Sequence, residues 1–557
     1  MMWNYKEYTG CKYIDPYINK IKSGEVAHCP EQEQMIDNIV LPVLSRDDVY
    51  IDEEKIEKGL ALQKYFDFTL IDWETFLFAL IAGVFYTSGD IYFKQIRIVI
   101  GRGSGKNGFI SFLCFYFLSP VHGVKNYNVD IIANTEDQAK VSFKDCYNAI
   151  KQPSNPKNAR ALIYNFEATK TEITGKKTGS VLRYNTGSRK GKDSKRTGCA
   201  IYDEKHEYTD ATNINTLRSG LGKVPFGREI TITTNGRTRG GVLDNELEQN
   251  SSILKEYNPE NRTLVFWCKI EKEEEWKDPS AWIKAIPSIN DFPELMSTIK
   301  QEVIDMPYNL DYFSEFMAKR MNFPIGNKDV ELVSWEDIKA TNKPLPDLTG
   351  WNCVCGIDYA KTNDFVAACL LFKQGEKRYA IIHGWACANS KDIDGIKAPL
   401  NEWERRGLLT IVHDVEISSE HITQWILEMG TKYRILRIAI DSFRFSFLNY
   451  ALKQIGFDAY EVKNIKLIRP SDLMRNYVVL NSVFVNQNLY VGDNPYFRWN
   501  VNNVKKTIDA KGNTLYGKIE PKYRKTDAFM AFAAAQCVED CLPDTTENFE
   551  ILDTITF

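Results

Sequence analysis

Lys106 and the acid pair Asp203-Glu204 form the first set of side chains whose types and order suit one reaction. Lys106 closes the run Gly101-Arg102-Gly103-Ser104-Gly105, which lies between the apolar stretches KQIRIVI and ISFLCFYFL. Spaced glycines let a backbone fold closely around an oxyanion, and a lysine ending such a loop reaches the outer phosphates of a nucleoside triphosphate. A loop that opens a helix adds the positive helix end to that anion site. The run departs from the usual G-x-x-x-x-G-K-[ST] pattern twice: Ile100 replaces the first glycine and Asn107 replaces the hydroxyl residue. The displaced glycines compensate for the first change, and the hard amide oxygen of Asn107 can replace a hydroxyl on Mg2+. Asp203 and Glu204 end the apolar run GCAIYDE. The first acid suits Mg2+ and the second suits an attacking water, while Arg102 can stabilise charge on a γ-phosphate. Each feature has a plain reading too, as a glycine-rich turn or a solvated acidic turn. Together in one run they point to nucleoside triphosphate hydrolysis.

A second set lies in the C-terminal half. Asp358 ends the apolar stretch NCVCGID, Asp441 ends ILRIAID, and Asp527 starts the apolar helix DAFMAFAAA. One aspartate at an element end is usually a turn or cap residue. Three can converge on two divalent cations that clamp the attacking and leaving oxygens of a phosphodiester. Asp364 is an accessory ligand candidate, whereas Asp414 reads as a surface residue. Close strands followed by an acid, with a late acid on a helix, is the RNase H-like order.

These residues require elements that set them at strand ends. Strands and helices alternate from Lys94 to Gly236, which predicts a parallel sheet. Punctuation by Pro, Gly and Asn over residues 321–350 predicts a boundary, and a closely spaced group of strands follows it. The expected fold is α/β with two tandem domains: a P-loop ATPase with a mostly parallel sheet, and an RNase H-like nuclease with a mixed sheet. The expected segments are a helical N-terminal extension (1–65), the ATPase domain (66–320), a linker (321–350) and the nuclease domain (351–557). Hydrophobic content of 43% suits substantial cores, and a net charge of −4 neither marks nor excludes a nucleic-acid binder. The twelve cysteines include no C-x-x-C pair, which predicts reduced thiols rather than disulfides or zinc. The N-terminus lacks an apolar signal core and no apolar stretch is long enough to span a bilayer, so a soluble intracellular protein is expected.

The motifs together resemble the large terminase subunit of tailed bacteriophages over most of the chain. SGEVAHC and TLIDWETFLFALIAGVF look like its N-terminal region and adenine-side helix, with Trp73 at the nucleotide. IANTEDQA resembles the motif after the second strand, YDEKHEY the Asp-Glu-x-His signature, and DPSAWIKAIPSI and FMAKRMNF the approach to the linker. TITTNG looks like the coupling motif, which assigns Thr233, Thr234 and Asn235 to linking hydrolysis with movement. One departure is Glu74, where the family often has glutamine. The resemblance implies ATP-driven translocation of double-stranded DNA into procapsids and cutting of concatemers. It implies ATP with Mg2+ at the first site and two Mg2+ or Mn2+ ions at the second. The implied partners are the portal protein, a small terminase subunit and further copies in a ring on the procapsid, with no membrane. The implied setting is the host cytoplasm during assembly, with transient residence on the procapsid and absence from the mature virion. Two basic runs become DNA-contact candidates: Arg189, Lys190, Lys192, Lys195 and Arg196, and Lys522, Arg524 and Lys525 before Asp527. The alternatives are a DExH-type helicase-nuclease, or a non-hydrolysing, nucleotide-gated DNA-binding assembly protein.

Overall fold

Short runs rich in isoleucine and valine, separated by helical segments, suit a sheet covered on both faces. The computed structural model folds into two units, Met1–Ile325 and Gly326–Phe557. It describes residues 8–153, 155–186, 196–208, 214, 218, 220–236, 242–306, 310–324, 332–359, 365–391, 393–396, 398–508, 514–518 and 524–543.

The main sheet of the first unit contains β1 (Gln95–Val99), β2 (Asn128–Ala133), β3 (Phe166–Ala168), β4 (Glu172–Gly175), β5 (Ser180–Thr186), β6 (Thr197–Asp203), β7 (Arg228–Thr233) and β8 (Thr263–Trp267). Their order is β8-β1-β7-β6-β2-β5-β4-β3. The strands from β8 to β5 are parallel, and β4 and β3 continue the sheet antiparallel. Val99 pairs with Thr233, and Asp203 pairs with Ile232. The carboxyl ends of β1, β7 and β6 therefore share one edge, where open α/β sheets bind ligands. Helices α1 (Asp72–Gly83) and α2 (Lys106–Leu118) are almost wholly buried beside this sheet. That burial follows from sequences apolar on every face.

The N-terminal segment shares this core rather than standing apart. The Tyr17 and Phe76 rings stack 4.5 Å apart, Cys29 Sγ donates to the Trp267 carbonyl at 3.2 Å, and Asn38 Nδ2 donates to the Leu254 carbonyl at 2.7 Å. A smaller core after β8 gathers Ile270, Trp282, Ile286, Phe316 and Met321.

The second unit contains β9 (Asn352–Tyr359), β10 (Phe365–Gln374), β11 (Lys377–Cys387), β12 (Leu409–Val412), β13 (Arg434–Asp441) and β14 (Ile465–Ile468). The order β12-β11-β10-β9-β13-β14 forms a mixed sheet. The β9-β10-β11 strands are antiparallel, whereas β12, β13 and β14 join in parallel. Its helices include α3 (Phe445–Gln454), which follows Asp441, and α4 (Pro495–Asn502) and α5 (Asp527–Gln536), which position Asp527. Leu332, Val333 and Ile338, from the segment expected as a linker, belong to this unit's core. All twelve cysteines are free thiols. Among the described residues no helix is long and apolar enough to cross a membrane.

Candidate functional sites

The loop after β1 is held from behind by the small core. The Gly101 N–H donates to the Ala285 carbonyl at 2.8 Å, and the Arg102 N–H donates to the Lys319 carbonyl at 2.6 Å. A Cβ on Gly101 would lie 2.2 Å from the Arg320 carbonyl oxygen, so only glycine fits there. Arg320 donates to the Arg102 carbonyl at 3.1 Å while paired with Glu302 at 2.7 Å. These contacts revise the expected role of Gly101. Its N–H and that of Arg102 are already engaged by protein, so an anion must be met by donors further along. There Gly103 and Gly105 adopt φ of 106° and 84°, in the left-handed region that favours glycine. Ser104 Oγ closes the turn on the Gly101 carbonyl at 2.7 Å. Lys106 is buried in the first turn of α2, whereas Asn107 beside it is exposed. The Arg102 side chain is half exposed and lies 3.9 Å from Glu315.

Lys106 Nζ donates to Glu204 Oε1 at 3.0 Å, joining the loop to the acid pair. Glu204 has φ of 47°, which is unusual for a residue with a Cβ, and its N–H reaches both the Ile232 carbonyl and Asp203 Oδ1. Burial pushes Asp203 up to about 6, against the lowering influence of Lys106. Burial also raises Glu204, but Lys106 and His206 outweigh it and hold that carboxyl well below the usual range.

His206 links these acids to the end of β7. Its Nδ1 lies 3.1 Å from Glu204 Oε2, 3.0 Å from Thr233 Oγ1 and 3.4 Å from Thr234 Oγ1. A Cβ on Gly236 would stand 2.5 Å from the His206 ring, so the strand's continuation presses directly on it. The Asn235 N–H donates to Asn322 Oδ1 at 2.7 Å, and Asn322 Nδ2 donates to the Val99 and Cys268 carbonyls. Lys205 points inward to Glu246 and Thr231.

Trp73 is a correction. It is buried, with its ring 5.6 Å from and nearly parallel to Phe266, and also against Phe109. Its indole is core packing and offers no face to a nucleotide. The neighbouring Glu74 approaches the loop instead, with Oε1 3.0 Å from where a Gly105 Cβ would stand. Burial pushes Glu74 up to about 8, although its Oε2 accepts the Ile71 N–H.

In the second unit Ile357 pairs with Ile440, so Asp358 and Asp441 leave adjacent parallel strands at the same level. Asp527 opens α5, whose run of alanines allows close approach to β9. At Gly356 a Cβ would lie 2.0 Å from the Ala531 carbonyl oxygen and 2.4 Å from the Ala535 nitrogen. The entrance to α5 is fixed by α4 and the residue after it. The Ala528 N–H donates to Asn500 Oδ1 at 3.1 Å, and Asn503 Nδ2 donates to the Lys525 carbonyl at 2.9 Å. Burial, followed by the charges of Asp527 and Asp441, pushes Asp358 up to about 8, while Lys518 and Arg444 pull it down. The three acids thus act on one another. Among the described residues, however, no group of three or more His, Cys, Asp or Glu side chains is gathered to hold a metal ion.

The remaining candidates divide by position. Asp364, Arg189, Lys190, Lys192, Lys195 and Lys522 lie outside the described residues. Arg196 is exposed just before β6, and Arg524 is half-buried. Lys525 is a second correction: it is buried, with Nζ 5.7 Å from the Phe365 ring centre, and does not present a surface charge to DNA. The sequence reading undervalued His206 and Glu74. The histidine of YDEKHEY and the acid beside Trp73 were the available signals.

Two family models match the chain. Terminase large subunit, ATPase domain, matches residues 72–252, and terminase large subunit, endonuclease domain, matches residues 260–536. The terminase large subunit of Lactococcus phage p2 is 23% identical over 439 residues, and that of Lactococcus phage SK1 is 22% identical over 436 residues. Each alignment covers 76% of this chain and 78% of the relative. The crystal structure of the HK97 bacteriophage large terminase aligns with 86% of this chain and 99% of its own, at 16% identity and a TM-score of 0.47.

Proposed function

The chain belongs to the terminase large subunit family, with that family's ATPase and endonuclease domains, and from this premise we propose how its residues divide the work. The protein hydrolyses ATP to package viral DNA and cuts that DNA. In our reading Lys106 exchanges its contact with Glu204 for the outer phosphates of ATP. Glu204, released from Lys106 and still against the His206 ring, then orients the attacking water. Asp203 and the exposed amide of Asn107 would hold Mg2+, which would supply charge neutralisation on the phosphates. Arg102, loosely held by Glu315, swings to the γ-phosphate. His206 transmits the change at Glu204 to Thr233, Thr234 and Asn235.

At the second site Asp358, Asp441 and Asp527 hold divalent cations, with Asp364 as an accessory ligand. Their donor chemistry fits hard cations; burial first, and then the charges of Asp527 and Asp441, raise Asp358, and a bound cation would offset both. Cations held by these aspartates would supply activation of a water and charge neutralisation at the leaving oxygen of a phosphodiester. Double-stranded DNA is the cargo moved by the ATPase and the substrate cut by the nuclease. The portal protein, a small terminase subunit and further copies in a ring are the proposed assembly partners.

The observation that carries this reading is the 3.0 Å contact between Lys106 and Glu204, which makes one site of two distant sequence motifs. The test is a pair of single variants assayed for both reactions. Glu204→Gln should abolish DNA-stimulated ATP hydrolysis and leave cutting of plasmid DNA intact, and Asp358→Asn should do the reverse. Loss of both activities in either folded variant would refute the two-site assignment.

A further inference from the structure

Arg102 is held in two unlike ways, firmly by its main chain and loosely by its side chain. Its N–H donates to the Lys319 carbonyl at 2.6 Å, and its carbonyl accepts from Arg320 Nη1 at 3.1 Å. Two consecutive residues thus take both main-chain polar groups of Arg102. The glycines on either side are pinned as well. A Cβ on Gly101 would lie 2.2 Å from the Arg320 carbonyl oxygen, and one on Gly103 would lie 2.8 Å from Leu295 Cδ1 and 3.2 Å from Arg320 Nη1.

Arg320 can clamp the loop because it is itself fixed. Its Nε and Nη2 donate to the two carboxylate oxygens of Glu302, at 3.1 and 2.7 Å, on the helix Pro293–Asp305. A two-pronged pair of this kind fixes direction as well as position, and here it leaves Nη1 for the loop. The Arg102 guanidinium has no comparable hold. It is half exposed, and its 3.9 Å approach to Glu315 is that of a weak surface pair. Glu315 is bound more closely by Lys319, at 2.8 Å, so it keeps a cation when Arg102 departs.

We propose that Arg320, locked by Glu302, is the positioning residue for Arg102: it fixes the pivot from which the Arg102 side chain swings between Glu315 and the γ-phosphate. This inference rests on the reading of Arg102 at the γ-phosphate. Arg320 touches no phosphate in this role and acts through Arg102 alone. A fixed main chain means that the base of the arm need not be ordered at the moment of reaction, and a side chain in one weak pair loses little on leaving it. The effect is confined to the step in which charge develops on the γ-phosphate, so it belongs to turnover and not to ATP binding.

The test is a cycle of single and double variants of the full-length protein, read as kcat and KM of DNA-stimulated ATP hydrolysis. Arg320→Lys keeps the charge but lacks the fork that holds Glu302 at two points and the Arg102 carbonyl at a third. It should lower kcat about tenfold or more and leave KM for ATP nearly unchanged. Glu302→Gln weakens the lock at nearly constant shape and should lower kcat in the same direction; it carries the test if Arg320→Lys does not fold. In the Arg102→Ala background neither substitution should slow hydrolysis further, because the arm they position is gone. Losses that multiply in the double variants, or a raised KM, would overturn the clamp and leave Arg320 a structural support of the loop. Full kcat in both single variants would also overturn it. Full activity of Arg102→Ala would instead remove Arg102 from the γ-phosphate, and the clamp with it.

Discussion

Replacing Gly356 with alanine should disable DNA cutting while leaving ATP hydrolysis untouched. The added methyl would stand 2.0 Å from the Ala531 carbonyl oxygen, 2.4 Å from the Ala535 nitrogen and 2.9 Å from the Ala535 methyl. Ordinary contact starts near 3.4 Å, so the obstacle must retreat by more than an ångström. Two of the three obstacles are helix backbone atoms, which cannot rotate aside like a flexible side chain. Either α5 lifts from β9 or β9 bends. Overpacking of this kind costs roughly 1–3 kcal/mol or more. Asp527 lies one helical turn before Ala531, so lifting the helix carries its carboxyl away from Asp358 and Asp441. A displacement of about 1 Å at a catalytic group costs on the order of a hundredfold in rate. The assay is a comparison of plasmid cutting, ATP hydrolysis and thermal unfolding for the same Gly356→Ala preparation. The expected result is a lower melting temperature, cutting reduced about a hundredfold and unchanged ATPase, which resides in the other unit. Full cutting activity with an unchanged melting temperature would refute the close-approach argument.

Other outcomes follow from the first unit. Trp73→Ala should cost about 3–5 kcal/mol of stability as a core truncation, read by denaturant unfolding; a raised KM for ATP at unchanged stability would restore the nucleotide-contact reading. Asp203, at about 6 when folded and near its ordinary value when unfolded, should cause ATP hydrolysis to fall as pH drops through about 6, because its carboxylate is the proposed Mg2+ ligand. The folding effect has the opposite sign: its raised pKa destabilises the native state, with no penalty below pH about 4 and the full penalty above about 6. Asp203→Asn should therefore raise the melting temperature of nucleotide-free protein at pH 8 and not at pH 4. His206→Gln should preserve much of the ATPase rate while lowering DNA packaged per ATP consumed, since it removes the ring between Glu204 and Thr233; unchanged coupling would exclude His206 as the link.

Local chemistry made much of this protein legible in its sequence. Spaced glycines before Lys106, an acid pair ending an apolar strand and three aspartates at element boundaries each bear a signature in residue type and spacing. The apolar runs were long and regular enough to reveal β1, β2, β6 and β7, and β9 to β13 of the second main sheet. The strands β3, β4, β5 and β14 lacked such runs, because their pairing with neighbours fixes them more than their composition does, and β8 carries the apolar run LVFW, which by periodicity alone does not differ from a buried helical segment.

Contacts across long sequence separations belonged to tertiary structure alone. Lys106 meets Glu204 because β7 sits between β1 and β6, an order that no local pattern encodes. The same order brings His206 against Thr233 and makes the TITTNG segment a neighbour of the acids. Trp73 misled because an aromatic residue on an all-apolar helix has the same letters whether it faces the core or a ligand; stacking on Phe266 decided for the core. Gly356 carried no signal, since an isolated glycine in a strand has many uses, and only the helix crossing above it shows that a methyl group has no room. The sequence determined which chemistry the side chains can perform, because that is set by functional groups. The tertiary structure decided which of them meet, because that depends on strand order, close approach and burial.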